Sequence, residues 1–506
     1  MQLARESAAL LLTLALFGCG NIQHPTAAPP APNTATLSAA DVQAVWQSAA
    51  ASVNDPVVIA VVDRAGHVLT VARKPGAPVT GTGNFGATVD ANDLAVALAR
   101  TAAYFSNDQA PLSSRTVRFI SGIHFPPGVA NTPSAALYGI ENTNRGCTLD
   151  ASLPGVGVPP STALAGGVGL GILTGKKDLL DSDATAVNPG GVPLYKSGTV
   201  VGGVGVVAST PEIAEFAALN GAGPAGGPVG LPLPLPSPGA VLIDGVALPF
   251  VLQTTMPAGA SAGTATGATV VAGTTGTSSP VPEGDLIAPH AGTGGLTVSD
   301  VSMIISNAVA TANQTRAVIR LPPGQRARMV IAVTDLDGSL LALHRMPDAT
   351  VFSIDVAVSK ARNMVYFDSS SVNPSDLPGV PTGTALTNRT LGFGAQPFYP
   401  PGINGSTSGP FFTLYTNDVL NPCTQGSQPA GPNQSGIVFF PGSEGLYKNG
   451  VLVGGLGVSG DGVEQDDYVT AGGAAGFEPP TNIRADQVID RSVRLPYLKF
   501  PRNPTQ

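Results

Sequence analysis

Charged, aromatic, histidine and cysteine side chains are all scarce in this chain of 506 residues, and each scarcity excludes something. Charged residues make up 11% and the formal net charge is -8, with no dense Lys/Arg run. A nucleic-acid partner would need a basic stripe, so that class is excluded. There are only five histidines, His24, His67, His124, His290 and His344, and three cysteines, Cys19, Cys147 and Cys423. No C-x-x-C or H-E-x-x-H spacing occurs, which removes the common zinc and dithiol motifs. Aromatics at 5% leave little for a core built on large rings. What is abundant is glycine (63) and proline (47), which implies long loops and cores packed from Ala, Val and Gly.

The N-terminus reads as a targeting segment. Residues 8–17 (AALLLTLALF) are too short to span a bilayer as a mature helix. They run into Gly18-Cys19-Gly20, and the string LFGC resembles a bacterial lipobox, in which the cysteine is lipidated and anchors the chain through acyl groups. The single cationic residue of this segment, Arg5, is offset by Glu6, so an ordinary secretory signal cut nearby, or a cytosolic chain with an apolar start, is the alternative. The expectation is a signal peptide over 1–19 with Cys19 as the lipidation site, then a Pro-rich tether over 20–36. The destination would be the periplasm or the cell surface. Cys147 and Cys423 are then left as candidates for a disulfide in an oxidising compartment.

The rest of the chain repeats itself. LSAADVQAVWQSAAA (37–51) matches LTVSDVSMIISNAVA (296–310), and VIAVVD (58–63) matches VIAVTD (330–335). ARTAAYF (99–105) matches ARNMVYF (361–367), SSRTVRF (113–119) matches TNRTLGF (387–393), and FPPGV (125–129) matches YPPGI (399–403). PLYKSGTVVGGVGV (193–206) matches GLYKNGVLVGGLGV (445–458). Order is kept throughout, so this is a tandem duplication: module 1 over 37–257, a Gly/Ala/Thr/Ser-rich linker over 258–295, and module 2 over 296–506.

Each module opens with a capping box, Ser38 with Asp41 and Thr297 with Asp300, ahead of apolar residues at helical spacing. A hairpin follows, turning at Ala65-Gly66 or Asp337-Gly338, and its first strand is apolar on both faces and therefore central. A helix ends at Phe105 or Phe367. Long Pro/Gly-rich loops lead to a second hairpin turning at Ser197-Gly198 or Asn449-Gly450, then to a last helix. The predicted class is α+β: two repeated modules, each a mainly antiparallel sheet flanked by helices on both faces.

That order of elements, with V-x-D-x-x-G-x-L in the first hairpin and Y-x-x-G-x-x-V-G-G-x-G-V-S-G in the second, resembles the GlcG/HbpS family of haem-binding proteins. Module 2 carries the likeness most fully, in Asp335, Gly338, Arg345, Ala349, SIDVAVSKA (353–361) and GGLGVSGDGVEQDDYVTA (454–471). Module 1 is degenerate at TVDANDLAVALA (88–99) and VASTPEIAEFAA (207–218). The resemblance implies oligomerisation and, for some members, binding or oxidative breakdown of haem outside the cytoplasm. Other members lie beside glycolate or cobalamin metabolism.

Haem as cofactor requires an axial ligand, an apolar slot and cations for the propionates. No histidine occurs in both copies: His67 aligns with Ser339, His344 with Ala72 and His124 with Phe398. His124, in GIHFPPG, is the candidate metal ligand, against a packed loop histidine as the alternative. His344, followed by Arg345, is a second candidate, and the resemblance also allows an oxygen ligand from Thr or Tyr. The shared cations offer carboxylate binding: Arg100 with Arg362, Arg115 with Arg389, and Arg345 with Arg73, together with Lys360, with Tyr366 one turn from Arg362. Structural ion pairs and turn caps are their alternative use, favoured for Asp63 and Asp335. GLGVSG (455–460) and GVGVVA (203–208) fit a dinucleotide fingerprint, but they end a hairpin outside any βαβ unit.

The function expected is therefore an exported, lipid-anchored protein binding haem or a related acidic ligand. An extracytoplasmic enzyme of haem degradation or small-acid metabolism is one alternative, and a non-catalytic structural or assembly module the other. The modules are expected to pack as an internal pseudo-dimer, with higher homo-oligomers open, and Cys147 to bond Cys423. A ligand site is expected to be unequal between the copies, because Leu98 falls where module 2 has Lys360. One haem or none per chain follows, with Arg362 contributing more than Arg100.

Overall fold

A computed structural model describes residues 35–147, 161–223, 229–231, 239–273 and 280–506. The signal segment, Cys19 and all but the last two residues of the tether lie outside them. Module 1 runs α1 (Ala39–Ser52), β1 (Val58–Asp63), β2 (Val68–Arg73), β3 (Thr80–Thr82), β4 (Thr88–Asp90), α2 (Ala91–Phe105), α3 (Ser114–Phe119), β5 (Gly191–Lys196), β6 (Thr199–Val207), α4 (Pro211–Gly221), β7 (Leu242–Ile243), β8 (Val246–Ala247) and β9 (Thr269–Ala272). Module 2 runs β10 (Gly284–Ile287), α5 (Val298–Gln314), β11 (Val330–Thr334), β12 (Leu340–Arg345), α6 (Phe352–Phe367), α7 (Asn388–Gly394), α8 (Phe412–Leu420), β13 (Ser443–Lys448), β14 (Val451–Ser459), α9 (Val463–Gly473), β15 (Ile489–Asp490) and β16 (Val493–Arg494).

Each module is built on a five-stranded antiparallel sheet, ordered β5-β6-β1-β2-β9 in the first and β10-β12-β11-β14-β13 in the second. The doubly apolar strand is central in both, as its sequence requires. Along β1 the faces alternate: Ile59 and Val61 pack in the core with α1 and α4, while Val58, Ala60 and Val62 pack in the core with α2. Both capping boxes form, with Ser38 and Thr297 accepting from the N–H of Asp41 and Asp300, whose carboxylates return the bond.

The glycines of β6 and β14 are packing residues. A Cβ on Gly203 or Gly205 would collide with the carbonyl of Ala99 or Ala95 on α2. On Gly455 or Gly457 it would meet the carbonyl of Ala361 or Ala357 on α6. The helix lies directly on the strand because these side chains are missing, which accounts for G-G-x-G without a cofactor.

The segment read as a linker does more than span a gap. β9 pairs with β2 through Ala72↔Val270, and β10 pairs with β12 through Asp285↔His344, so residues within 258–295 supply the fifth strand of each sheet. The reason is backbone satisfaction: the free edges of β2 and β12 present unpaired N–H and C=O groups, and an extended segment within reach takes them up.

The two modules pack on one another, and equivalent or near-equivalent loops meet. His124 stacks over its counterpart Phe398 at 6.3 Å between centroids. Asn131 N–H donates to Asn404 Oδ1 at 2.9 Å, and Asn404 N–H donates back to Asn131 Oδ1 at 3.0 Å. Cys147 and Cys423 form a disulfide with Cα atoms 5.4 Å apart. Phe105 stacks on Phe352 at 4.0 Å, and Tyr138 donates to the carbonyl of Ala395.

Candidate functional site

The cations shared by the two copies are all engaged within the chain. Arg100 and Arg362 do the same work, each donating through Nε at 3.0 Å to the carbonyl of the first hairpin's turn glycine, Gly66 or Gly338. Their outer nitrogens reach the long loops before the second hairpin: Arg100 Nη1 donates to Thr162 O, and Arg362 Nη1 to Ser435 Oγ. The space left beside Arg100, Tyr104 and Asn144 is about 10 Å³, room for one water. Tyr366 donates to Asp376 at 2.6 Å.

Arg115 grips Glu215 on α4 with two bonds, 2.6 and 2.8 Å, and Arg389 reaches the equivalent Asp467 on α9 at 2.6 Å. Arg345 is buried and donates to the carbonyls of Ala349, Val281 and Pro282, so it fastens the entry to β10; burial pushes its pKa down to about 10. Asp335, despite its burial, is held below the ordinary carboxylate range by bonds from Thr293, Leu336 and Gly294. Of the histidines, His344 is tied to Asp285 at 2.7 Å, and His67 to Asp63 at 3.1 Å, a bond that raises its pKa. His124 holds the carbonyl of Thr132 at 2.9 Å, half-buried against Phe398. The structure does not gather these residues into one cavity.

An open cleft of about 670 Å³ lies instead in module 1. Its walls come from β3 (Gly81, Thr82), the buried side of α2 (Leu94, Leu98), the end of β6 (Val206, Val207) and the start of α4 (Thr210 to Glu215). Residues 185–190, Ser209 and Leu252 also line it. Its inner wall is aliphatic where α2 and β6 pack through Leu94, Leu98, Val206 and Val207, and its rim is polar, with Thr82, Thr185, Ser209 and Glu212 exposed there. Lys177 reaches the cleft from an exposed position and has no ion pair within 4 Å among the described residues, although its charge attracts Asp178 and Asp183, whereas Arg115 is neutralised by Glu215. Glu212 is the acidic residue of the rim. Clefts of roughly 300–1,000 Å³ are the usual size of small-molecule sites.

The same place in module 2 is plugged. Lys360, fully buried on α6, donates to Val458 O at 2.8 Å and pairs with Asp466 on α9 at 3.1 Å. The matched positions in module 1 are Leu98 and Ala214, both of which line the cleft. The connection from α5 to β11 spans residues 315–329, whereas its module 1 counterpart spans only 53–57. That extra chain lies over the start of α9: the N–H of Val318 donates to Asp461 at 2.6 Å. Asp461 and Gly462 match Ser209 and Thr210, which form the mouth of the cleft in module 1. The loss of Lys at position 98, read from sequence as the loss of a binding cation, is thus the removal of a plug. Lys177 and Ala214 were not singled out from sequence; the joint change of Lys360 and Asp466 to Leu98 and Ala214 was the signal for Ala214, and Lys177 had none.

The family match falls in module 2. Residues 296–475 match the HbpS-like family, described as haem degrading protein HbpS-like. The corrinoid adenosyltransferase PduO of Salmonella typhimurium is 27% identical over 152 residues, 30% of this chain. The match spans 33% of that relative's length. Among solved structures, a PduOC:heme complex aligns at 22% identity with a TM-score of 0.25, over 37% of this chain and 97% of that one. Klebsiella pneumoniae protein ORFY aligns at 19% identity with a TM-score of 0.24, over 36% and 90%.

Proposed function

From a chain whose residues 296–475 are HbpS-like, we propose an exported, lipid-anchored protein that binds one haem, or a related acidic ligand, in the cleft of module 1. The observation that carries this reading is the cleft itself: about 670 Å³, with an aliphatic inner wall, a polar rim and Lys177 exposed beside it. Leu94, Leu98, Val206 and Ala214 are placed to face the ring, and Lys177 to meet a propionate. Haem bound there would supply redox chemistry that no side chain offers. The family description, haem degrading, favours a second reading in which the bound haem is also broken down.

Export rests on residues 8–17 and the LFGC string at Cys19, and the periplasm or cell surface is the compartment that suits the disulfide. Higher homo-oligomers remain part of the proposal on the family likeness. The test is a haemin titration of the soluble chain lacking residues 1–36, followed by difference absorption. One equivalent per chain is expected, and a flat titration, or saturation at two equal sites, refutes the reading. Decay of the Soret band under peroxide, faster than for free haemin, separates the degrading enzyme from the binder. Radiolabelled palmitate that enters the full-length chain, and fails to enter Cys19→Ala, tests the anchor.

A further inference from the structure

The cleft of module 1 is equipped for a ring and a carboxylate far better than for a metal. Among its described lining residues there is no His, Cys, Met or Tyr. Its side-chain oxygens are Thr82, Thr185, Ser209, Thr210, Glu212 and Glu215, with the Asn188 and Gln253 amides. Glu215 is already taken by Arg115 and by the N–H of Gln253, and the Thr210 hydroxyl accepts from Ile213 N–H as the cap of α4. Iron in haem proteins is held by imidazole, thiolate, thioether or phenolate donors, and a neutral hydroxyl on an exposed residue is a weak substitute. The histidines that are described lie elsewhere, each bonded to a carboxylate or a carbonyl. Affinity in this cleft must then come from apolar contact with Leu94, Leu98, Val206, Val207 and Ala214, and from Lys177.

We propose that the module 1 cleft recognises a tetrapyrrole by its ring face and one peripheral carboxylate, whether or not the ring holds iron, so that metal-free porphyrin is a ligand equal to haem. This rests on the haem reading above and deepens it. The open mouth suits such a ligand: one carboxylate lies at Lys177 and the other stays in water, where it loses no hydration.

The test is equilibrium dialysis of the soluble chain against haemin and against protoporphyrin IX. The two dissociation constants are expected to agree within about threefold, less than the roughly tenfold that 1.4 kcal/mol produces. Lys177→Ala should weaken both by about fivefold at low salt, an exposed charge pair's contribution, and should leave the dimethyl ester of protoporphyrin unaffected. Two variants probe the place. Leu98→Lys with Ala214→Asp installs module 2's plug, and Ser209→Trp fills the mouth from an exposed position that the fold does not depend on. Each should weaken both ligands by about tenfold or more. Haemin binding well while protoporphyrin fails overturns this inference and leaves the haem reading standing. Failure of both ligands sinks the haem reading itself. Unchanged binding by Ser209→Trp, with the protein folded by circular dichroism, shows that the site lies elsewhere and overturns the inference.

Discussion

Replacing Lys360 by Leu tests the account of why module 2 is closed. Lys360 is 0% exposed and Asp466 2% exposed, so neither charge has solvent to fall back on. Burial drives both toward their neutral forms, and their mutual attraction opposes it. Lys360→Leu alone leaves Asp466 buried with a weak 3.4 Å bond from Asp461 N–H, in an environment that also holds Asp461 and Asp467. The expected cost is about 3–5 kcal/mol at pH 7. Asp466→Ala alone leaves the ammonium with Val458 O and the face of Phe440, 5.0 Å away, and should cost a similar amount.

The double variant Lys360→Leu/Asp466→Ala reproduces the Leu98/Ala214 pair that module 1 already tolerates. It should lose far less than the sum, about 1–2 kcal/mol for the cavity left behind. The pH dependence follows from sign. In Lys360→Leu the folded-state pKa of Asp466 lies above the unfolded value, so the penalty is absent in acid. It grows as pH rises from about 4, the ordinary carboxylate value, through the raised folded pKa. Native-state hydrogen exchange of α6 and α9 amides, with thermal unfolding at pH 4 and pH 7, reads these differences locally. Additive single and double effects would falsify the plug. Because residues 315–329 still cover the site, the double variant should not acquire a second ligand.

Gly457→Ala should destabilise by about 1–3 kcal/mol or more through collision with the Ala357 carbonyl, and a variant that melts with the parent removes the packing argument. Cys147→Ser/Cys423→Ser should lower the unfolding midpoint by the equivalent of about 3–5 kcal/mol, since the bond closes a separation of 276 residues; an unchanged midpoint contradicts it. Glu444 is pushed up to about 8 by burial, from an ordinary 4.5, so its contribution is intact below pH 4.5 and lost as pH rises through 8. Glu444→Gln should therefore flatten the fall in stability between those values, and an identical pH profile in denaturant melts refutes the assignment.

The sequence by itself determined the elements and their order. Capping boxes at Ser38 and Thr297, the apolar strands at 58 and 330, and the turns at Gly66, Gly198, Gly338 and Gly450 are local signals, and duplication supplied each twice. It also identified which cysteines would meet, because near-equivalent loops of fused copies converge. Strand pairing outside a hairpin was beyond it. Thr269-Val270-Val271 and Leu286-Ile287 look like parts of a linker until the free edges of β2 and β12 are in place to accept them.

The site was hidden for a related reason. The shared arginines Arg100, Arg115, Arg345, Arg362 and Arg389, with Lys360 of module 2, look like anion chemistry, yet tertiary structure gives every one a partner inside the chain. Charge type is written in the sequence, but whether a charge is satisfied depends on what the fold brings to within about 3 Å of it. The cleft is made by a difference at two positions far apart in the chain, Leu98 with Ala214 against Lys360 with Asp466, and by a connection ten residues shorter after α1. Only the packing of α2, β6 and α4 puts those positions on one wall, and an empty space is a property of that packing rather than of any residue.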